Sequence, residues 1–175
     1  SFFQTNTKGA EILYDKVIEF ADFNEKDTVF DLYSGAGTIA LYVANRVRHV
    51  VGFEVVQDAV EDARINAELN GAENCTFVPG DLEDSLKDML HDLGELDRPT
   101  TVVIDPPRAG MHVDVLNCVL RLKPQTIVYV SCNPTTFARD AKQLCESDYQ
   151  LAIVQPVDMF PHTAHIELVS LLRRS

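Results

Sequence analysis

No run of apolar residues in this chain approaches the length of a membrane span, and no basic-then-apolar secretory pattern opens it. Cysteine is scarce: Cys75, Cys118, Cys132 and Cys145 are the only four, and none are paired at metal-finger spacing. With nothing pointing to secretion, they are expected as reduced thiols in a cytoplasmic protein, and zinc or iron–sulfur ligation is not expected. Positive charge is in short supply too. Lys and Arg number 15 against 27 Asp and Glu, a formal net charge of −12. That surface opposes a polyanion, so a nucleic-acid substrate needs a local basic rim or another domain to bring it in. Internal repeats, low-complexity segments and linkers are also missing.

What is present suits one domain over residues 1–175, with 46% apolar and 24% charged residues. Ser1 is not a natural start, which predicts a piece of a longer protein. Helical spacing runs over 6–22, 38–46, 57–71, 81–94, 113–123 and 134–147. Short, nearly continuous apolar runs over 28–33, 49–56, 75–81, 100–105, 124–132, 149–160 and 165–174 read as strands. Strands alternating with helices predict a parallel sheet covered on both faces. Only the last two strands follow one another directly, so the seventh is expected antiparallel beside its neighbour. Ligands of such a doubly wound sheet bind at the carboxyl ends of the strands.

Several polar groups fall at those ends. Asp31-Leu32-Tyr33-Ser34-Gly35-Ala36-Gly37-Thr38 follows the first strand, and Glu54 ends the second. Glycines there allow a tight turn, and the carboxylate suits ribose hydroxyls; both serve any adenosine cofactor, NAD included. Asp31 and Asp81 add carboxylates that would repel a pyrophosphate and suit a cationic ligand. Asp81 is equally a plain helix cap. Asp105-Pro106-Pro107-Arg108 closes the fourth strand with a stiff polar loop, otherwise a simple turn. Cys132 ends the fifth strand before Asn133-Pro134, where a helix N-terminus favours thiolate and activates a nucleophile without a dedicated base. Read blandly, it is a small core residue.

Glu167 sits inside an apolar strand, where burial raises a carboxyl toward the range of a general base. Pairing with Arg108 or Arg139 is the structural alternative. His165 shares a strand face with Glu167, whereas His162 and His165 point to opposite faces and do not share a metal. Phe2-Phe3-Gln4-Thr5-Asn6 offers aromatics and amides that suit a flipped base, or a core plug with a cap.

FFQTN, DLYSGAG, DPPRAG, VSCNPTTFARD and FPHTAHIE, in this order, resemble the catalytic domain of the RNA (uracil-5-)-methyltransferases. The resemblance spans essentially the whole chain. It implies a class I methyltransferase fold that uses S-adenosyl-L-methionine to make 5-methyluridine in RNA. It further implies Cys132 as nucleophile, Glu167 as proton-abstracting base, and Gln4, Tyr33, Gly35, Gly37, Thr38, Glu54, Asp81 and Asp105 at the cofactor. Phe2, Phe3, Arg108 and His165 are candidate substrate contacts. Thr38 stands where the family often has Asn. The family's N-terminal oligonucleotide-binding barrel is missing from these residues, as are the cysteines that hold an iron–sulfur cluster in some members. PVDMFPHTAHIE is more similar to ribosomal-RNA members than to tRNA members, so 23S rRNA is the expected substrate and tRNA the alternative. A monomer is expected. The rival readings are an NAD-dependent oxidoreductase and a non-catalytic RNA or protein docking module.

Overall fold

The computed structural model describes residues 7–92, 98–159, 163 and 166–175. The chain runs α1 (Thr7–Ala21), β1 (Thr28–Leu32), α2 (Thr38–Val43), a 3-10 turn (Ala44–Arg46), β2 (His49–Glu54) and α3 (Gln57–Leu69). It continues through β3 (Cys75–Pro79), α4 (Leu82–Asp92), β4 (Thr101–Ile104), α5 (Val113–Leu122), β5 (Thr126–Ser131) and α6 (Pro134–Cys145). β6 (Tyr149–Val157) and β7 (Glu167–Arg174) close it.

One seven-stranded sheet holds these strands in the order β3-β2-β1-β4-β5-β7-β6. The first five pair in parallel, whereas β7 is antiparallel to both β5 and β6. The crossover through α6 leaves one strand position empty beside β5, and β7 returns into that gap. Its first residue therefore arrives at the carboxyl ends of the parallel strands. The expected antiparallel last strand is present, and it touches two neighbours rather than one.

Strand alternation divides the core in two. Val29, Val50, Phe77, Val103, Val128 and Val169 turn toward α1, α2 and α3. Phe30, Val51, Val102, Ile127, Tyr129 and Leu168 turn toward α4, α5 and α6. Both faces are covered, which is why β1, β4 and β5 are buried along their whole length without alternation. β6 is the edge strand and is exposed from Gln150 to Pro156.

Element ends differ from the sequence expectation by one to three residues. β5 ends at Ser131, leaving Cys132 just beyond it, and β6 ends at Val157 instead of 160. α3 stops at Leu69, and Gly71 follows with φ +64°. No helix among the described residues is long and apolar enough to cross a membrane.

Candidate active site

The turn after β1 is built on left-handed backbone. Tyr33 has φ +64°, Gly35 +53° and Gly37 +79°. The two glycines serve different ends. A Cβ on Gly37 would lie 2.8 Å from the Phe77 ring and 3.0 Å from Ala63, so this glycine lets α2 and α3 close onto the sheet. A Cβ on Gly35 would meet nothing within 4 Å, so its backbone faces open space where a ligand can approach. Its N–H donates to Glu54 Oε2 at 2.9 Å, and Val56 N–H donates to Oε1 at 2.9 Å. Each carboxylate oxygen keeps a free lone pair, so Glu54 is fixed in place and still able to accept from hydroxyls.

Glu54 lines a cavity of about 270 Å3 together with Tyr33, Val55, Asp81 and His112. Asp81 has the capping role that its sequence position suggested. Its Oδ1 caps α4, accepting from Glu83 N–H at 2.9 Å and Asp84 N–H at 3.3 Å, and its side chain also borders the cavity. The Tyr33 hydroxyl hydrogen-bonds the backbone of His112, and burial pushes its pKa up. Thr38 is exposed at the start of α2 and hydrogen-bonds Tyr14, a residue the sequence reading passed over. A larger cavity of about 530 Å3 lies at the opposite ends of the strands, around Arg48, His49 and Thr76. Among the described residues, none of the candidates lines it.

Beneath the turn, carboxylates crowd together. Asp31 is buried; its Oδ2 accepts from Ala40 N–H at 3.1 Å, and its Oδ1 has no partner among the described residues. Burial, then the charge of Asp105, raises its pKa to about 8. Burial raises Asp105 itself to about 6. Carboxyls crowded at this strand end suit a ligand that brings positive charge, and they disfavour phosphates.

The reactive end stands beside this pocket. β5 and β7 pair as Val130 with Val169 and Ser131 with Leu168. One step further along the same register, Cys132 stands across from Glu167. Glu167 is 9% exposed, and burial, then Asp105, lifts its carboxyl to about 7 against the opposing pull of Arg108. The arginine pairing expected as the alternative is divided: Arg108 acts on Glu167, whereas Arg139 binds Asp140 at 2.7 Å.

Cys132 is half-buried, and its helix cap has the expected form, with Asn133 Oδ1 accepting from Thr135 N–H at 3.1 Å and Pro134 opening α6. The expected activation by the helix alone is corrected, however. Burial and the charge of Glu167 push the thiol up, and only a hydrogen bond and the charge of Arg108 act to lower it. Desolvation and neighbouring carboxylates disfavour the charged thiol, and Arg108 is the side chain that favours thiolate. Phe2, Phe3, Gln4, His162 and His165 lie outside the described residues. Tyr14, His112 and Asp140 are the site-bordering groups that the sequence reading missed. The RD of VSCNPTTFARD was the signal for the last of these.

Comparison with known proteins adds to this geometry. An uncharacterized RNA methyltransferase of Chlorobaculum tepidum is 49% identical over 175 residues, covering 100% of this chain and 36% of that protein. Another, of Bacteroides thetaiotaomicron, is 49% identical over 98% of this chain and 37% of its own length. The crystal structure of Pyrococcus abyssi tRNA (uracil-54, C5)-methyltransferase, in complex with S-adenosyl-L-homocysteine, superposes with a TM-score of 0.81. It is 41% identical over 98% of this chain and 40% of that one. A precorrin-6y C5,15-methyltransferase of Geobacter metallireducens shares the fold at TM-score 0.80 with 16% identity. The chain thus spans under half the length of these RNA methyltransferases. The tRNA (uracil-5-)-methyltransferase family model matches residues 1–175 from end to end, and the chain belongs to that family.

Proposed function

We propose that this chain is the catalytic part of a longer enzyme that transfers a methyl group from S-adenosyl-L-methionine to C5 of a uridine in RNA. The observation that carries the reading is the facing of Cys132 and Glu167 across the ends of β5 and β7, with Arg108 acting on both. The pocket fits the cofactor. Glu54 and Asp81 border the cavity for its ribose and adenine, and the orphaned Asp31 oxygen with Asp105 suits its positive charges. Bound there, the cofactor supplies an electrophilic methyl group on a sulfonium.

The chain's own residues supply the rest. C5 of uracil is a poor nucleophile because the ring carbonyls hold its electrons. Arg108 favours the Cys132 thiolate, which adds to C6 and sends the electron pair of the C5–C6 bond toward C5 and O4. After C5 gains its methyl group, Glu167 takes the remaining C5 proton. The electrons of that C–H bond re-form C5–C6, and the thiolate leaves. One hard substitution becomes two easier steps. A carboxyl near neutrality is suited to this proton transfer. C6 is hidden in a stacked helix, so the uridine must be flipped or lie in a loop.

Ribosomal RNA is the substrate the closing PVDMFPHTAHIE favours. A tRNA substrate is the second reading, supported by the 41% identity to the Pyrococcus tRNA enzyme. The net charge of −12 supports recruitment of RNA by a part of the longer protein outside this chain. The test offers the full-length parent methyl-labelled cofactor with unmodified tRNA and ribosomal RNA in separate reactions, and Cys132→Ala as control. Label in 5-methyluridine of one pool, lost in the variant, carries the reading. Label in neither pool sinks it.

A further inference from the structure

The loop that carries Arg108 has almost no secondary structure of its own, yet its backbone is held at nearly every residue by α6. Asn133 Nδ2 donates to the Arg108 carbonyl at 3.0 Å, and Thr136 Oγ1 donates to the same oxygen at 3.2 Å. Arg139 Nη2 donates to the carbonyl of Ala109 at 2.9 Å and to that of Met111 at 3.3 Å. The N–H of Met111 donates to Asp140 Oδ2 at 2.8 Å. Gly110 sits in the middle with φ +80°, where a Cβ would lie 2.5 Å from Arg139 Nη2 and 2.6 Å from Asp140 Oδ2. Only glycine lets the loop come this close.

Asp140 is the centre of the clamp. It is 1% exposed and accepts from the Tyr129 hydroxyl at 2.6 Å as well as from Met111. Arg139 closes the set through Nε at 2.8 Å and Nη2 at 2.7 Å. Tyr129 belongs to β5, three residues before Cys132. A buried carboxylate this fully satisfied ties a helix, a strand and a loop into one unit. Cys132 lies between the strand and helix of that unit, and Arg108 lies in the loop.

We propose that Asp140 and Arg139 are positioning residues, which lock the 108–111 loop so that the Arg108 guanidinium is held against the Cys132 thiol. Neither needs to touch a substrate. The inference rests on Cys132 being the nucleophile, but its test reads the thiol directly and requires no methyl transfer. The charged groups acting on that thiol are Glu167 from β7, Asp105 from the end of β4 and Arg108 from the loop. Those around Asp140 are Arg139 and the hydroxyls of Tyr129 and Tyr33.

The experiment follows alkylation of Cys132 against pH, resolved from the other three cysteines by peptide mass spectrometry, with thermal melting of every variant. Arg108→Ala is expected to raise the alkylation midpoint by about one pH unit, slowing alkylation roughly tenfold near neutrality. Arg139→Ala and Asp140→Asn are expected to raise it similarly, and the Arg108→Ala/Arg139→Ala double variant to add little further. Arg139→Lys keeps the charge but not the fork, so it should not restore the midpoint. Should Asp140→Asn fail to fold, Arg139→Ala decides, because the Arg139 side chain is half-exposed and outside the core. A lowered melting temperature with an unmoved midpoint in Arg139→Ala would make the clamp purely structural and overturn the proposal. So would an Arg108→Ala variant whose thiol titrates as in the parent.

Discussion

Cys132 and Glu167 face each other from antiparallel neighbours, the thiol one residue past the end of β5 and the carboxyl on the first residue of β7. Such a pair can work on opposite faces of a flat ring held between them. The two substitutions should therefore fail at different stages. Cys132→Ala leaves nothing to add to C6, so neither product nor adduct forms. Glu167→Gln still allows addition and methylation but cannot remove the C5 proton, so a methylated protein–RNA adduct accumulates. Turnover in Glu167→Gln should fall by about 100- to 10,000-fold. Denaturing gels and mass spectrometry of the cross-linked peptide check both. An adduct absent from both variants would remove Cys132 from the mechanism.

A base must be ionised to accept a proton. With Glu167 lifted to about 7, single-turnover resolution of the adduct should rise with pH and level off above that value. Arg108 lowers the carboxyl, so Arg108→Ala should move the inflection upward. The thiol, pushed up by burial and Glu167, adds its own rise on the alkaline side for adduct formation. An inflection near the ordinary carboxylate range, unmoved in Arg108→Ala, would assign the base to another residue.

The parallel sheet, the placement of the glycine turn and the position of Cys132 and Glu167 at strand ends were legible because strand ends are fixed by where apolar runs stop. Register was not. Whether β7 lay beside β5 or outside β6 depends on which gap the α6 crossover leaves, and no local residue pattern records that. Electrostatics was legible only in part. The helix cap at Asn133 follows from Asn-Pro, but the sign of the shift on Cys132 depends on how close Glu167, Asp105 and Arg108 come. Asp140 looked like an ordinary helix residue. Its burial follows from Gly110 letting the loop reach it, a contact across 30 positions of chain.

Asp31 makes stability depend on pH in an unusual direction. Its folded pKa of about 8 lies above the ordinary 3.8, so the folded state holds the proton more tightly. The contribution is fully present below the unfolded value and is lost as pH rises through about 8. The slope is up to about 1.4 kcal/mol per pH unit. Asp31→Asn keeps the acceptor for Ala40 N–H and removes the charge, so ligand-free protein should melt higher than the parent at pH 8 and alike at pH 4. Parallel melting curves across that range would show that Asp31 is ionised throughout.

Gly35 and Gly37 should respond oppositely to alanine. Gly37→Ala pushes a methyl into Phe77 and Ala63 and strains a φ of +79°, so it should lower the melting temperature severely. Gly35→Ala has open space and only the backbone cost of about 1 kcal/mol, so it should fold yet bind cofactor poorly. Thermal melting with calorimetric titration of S-adenosyl-L-methionine separates the two. Unimpaired binding by Gly35→Ala would mean that the ligand does not approach the turn there.

Charge makes the last prediction. The chain carries 27 acidic against 15 basic residues, and one of its arginines, Arg139, is spent on Asp140. Cationic side chains gain affinity for RNA by displacing the counterions condensed on its phosphates, and a surface of net −12 offers little of that. The isolated chain should therefore bind S-adenosyl-L-methionine in calorimetry while holding RNA weakly in filter binding, even at low salt. Its affinity for RNA should show a shallower salt slope than that of the full-length parent, because fewer phosphate contacts are made. Efficient methylation of long RNA by the isolated chain would show that recognition lies within these residues.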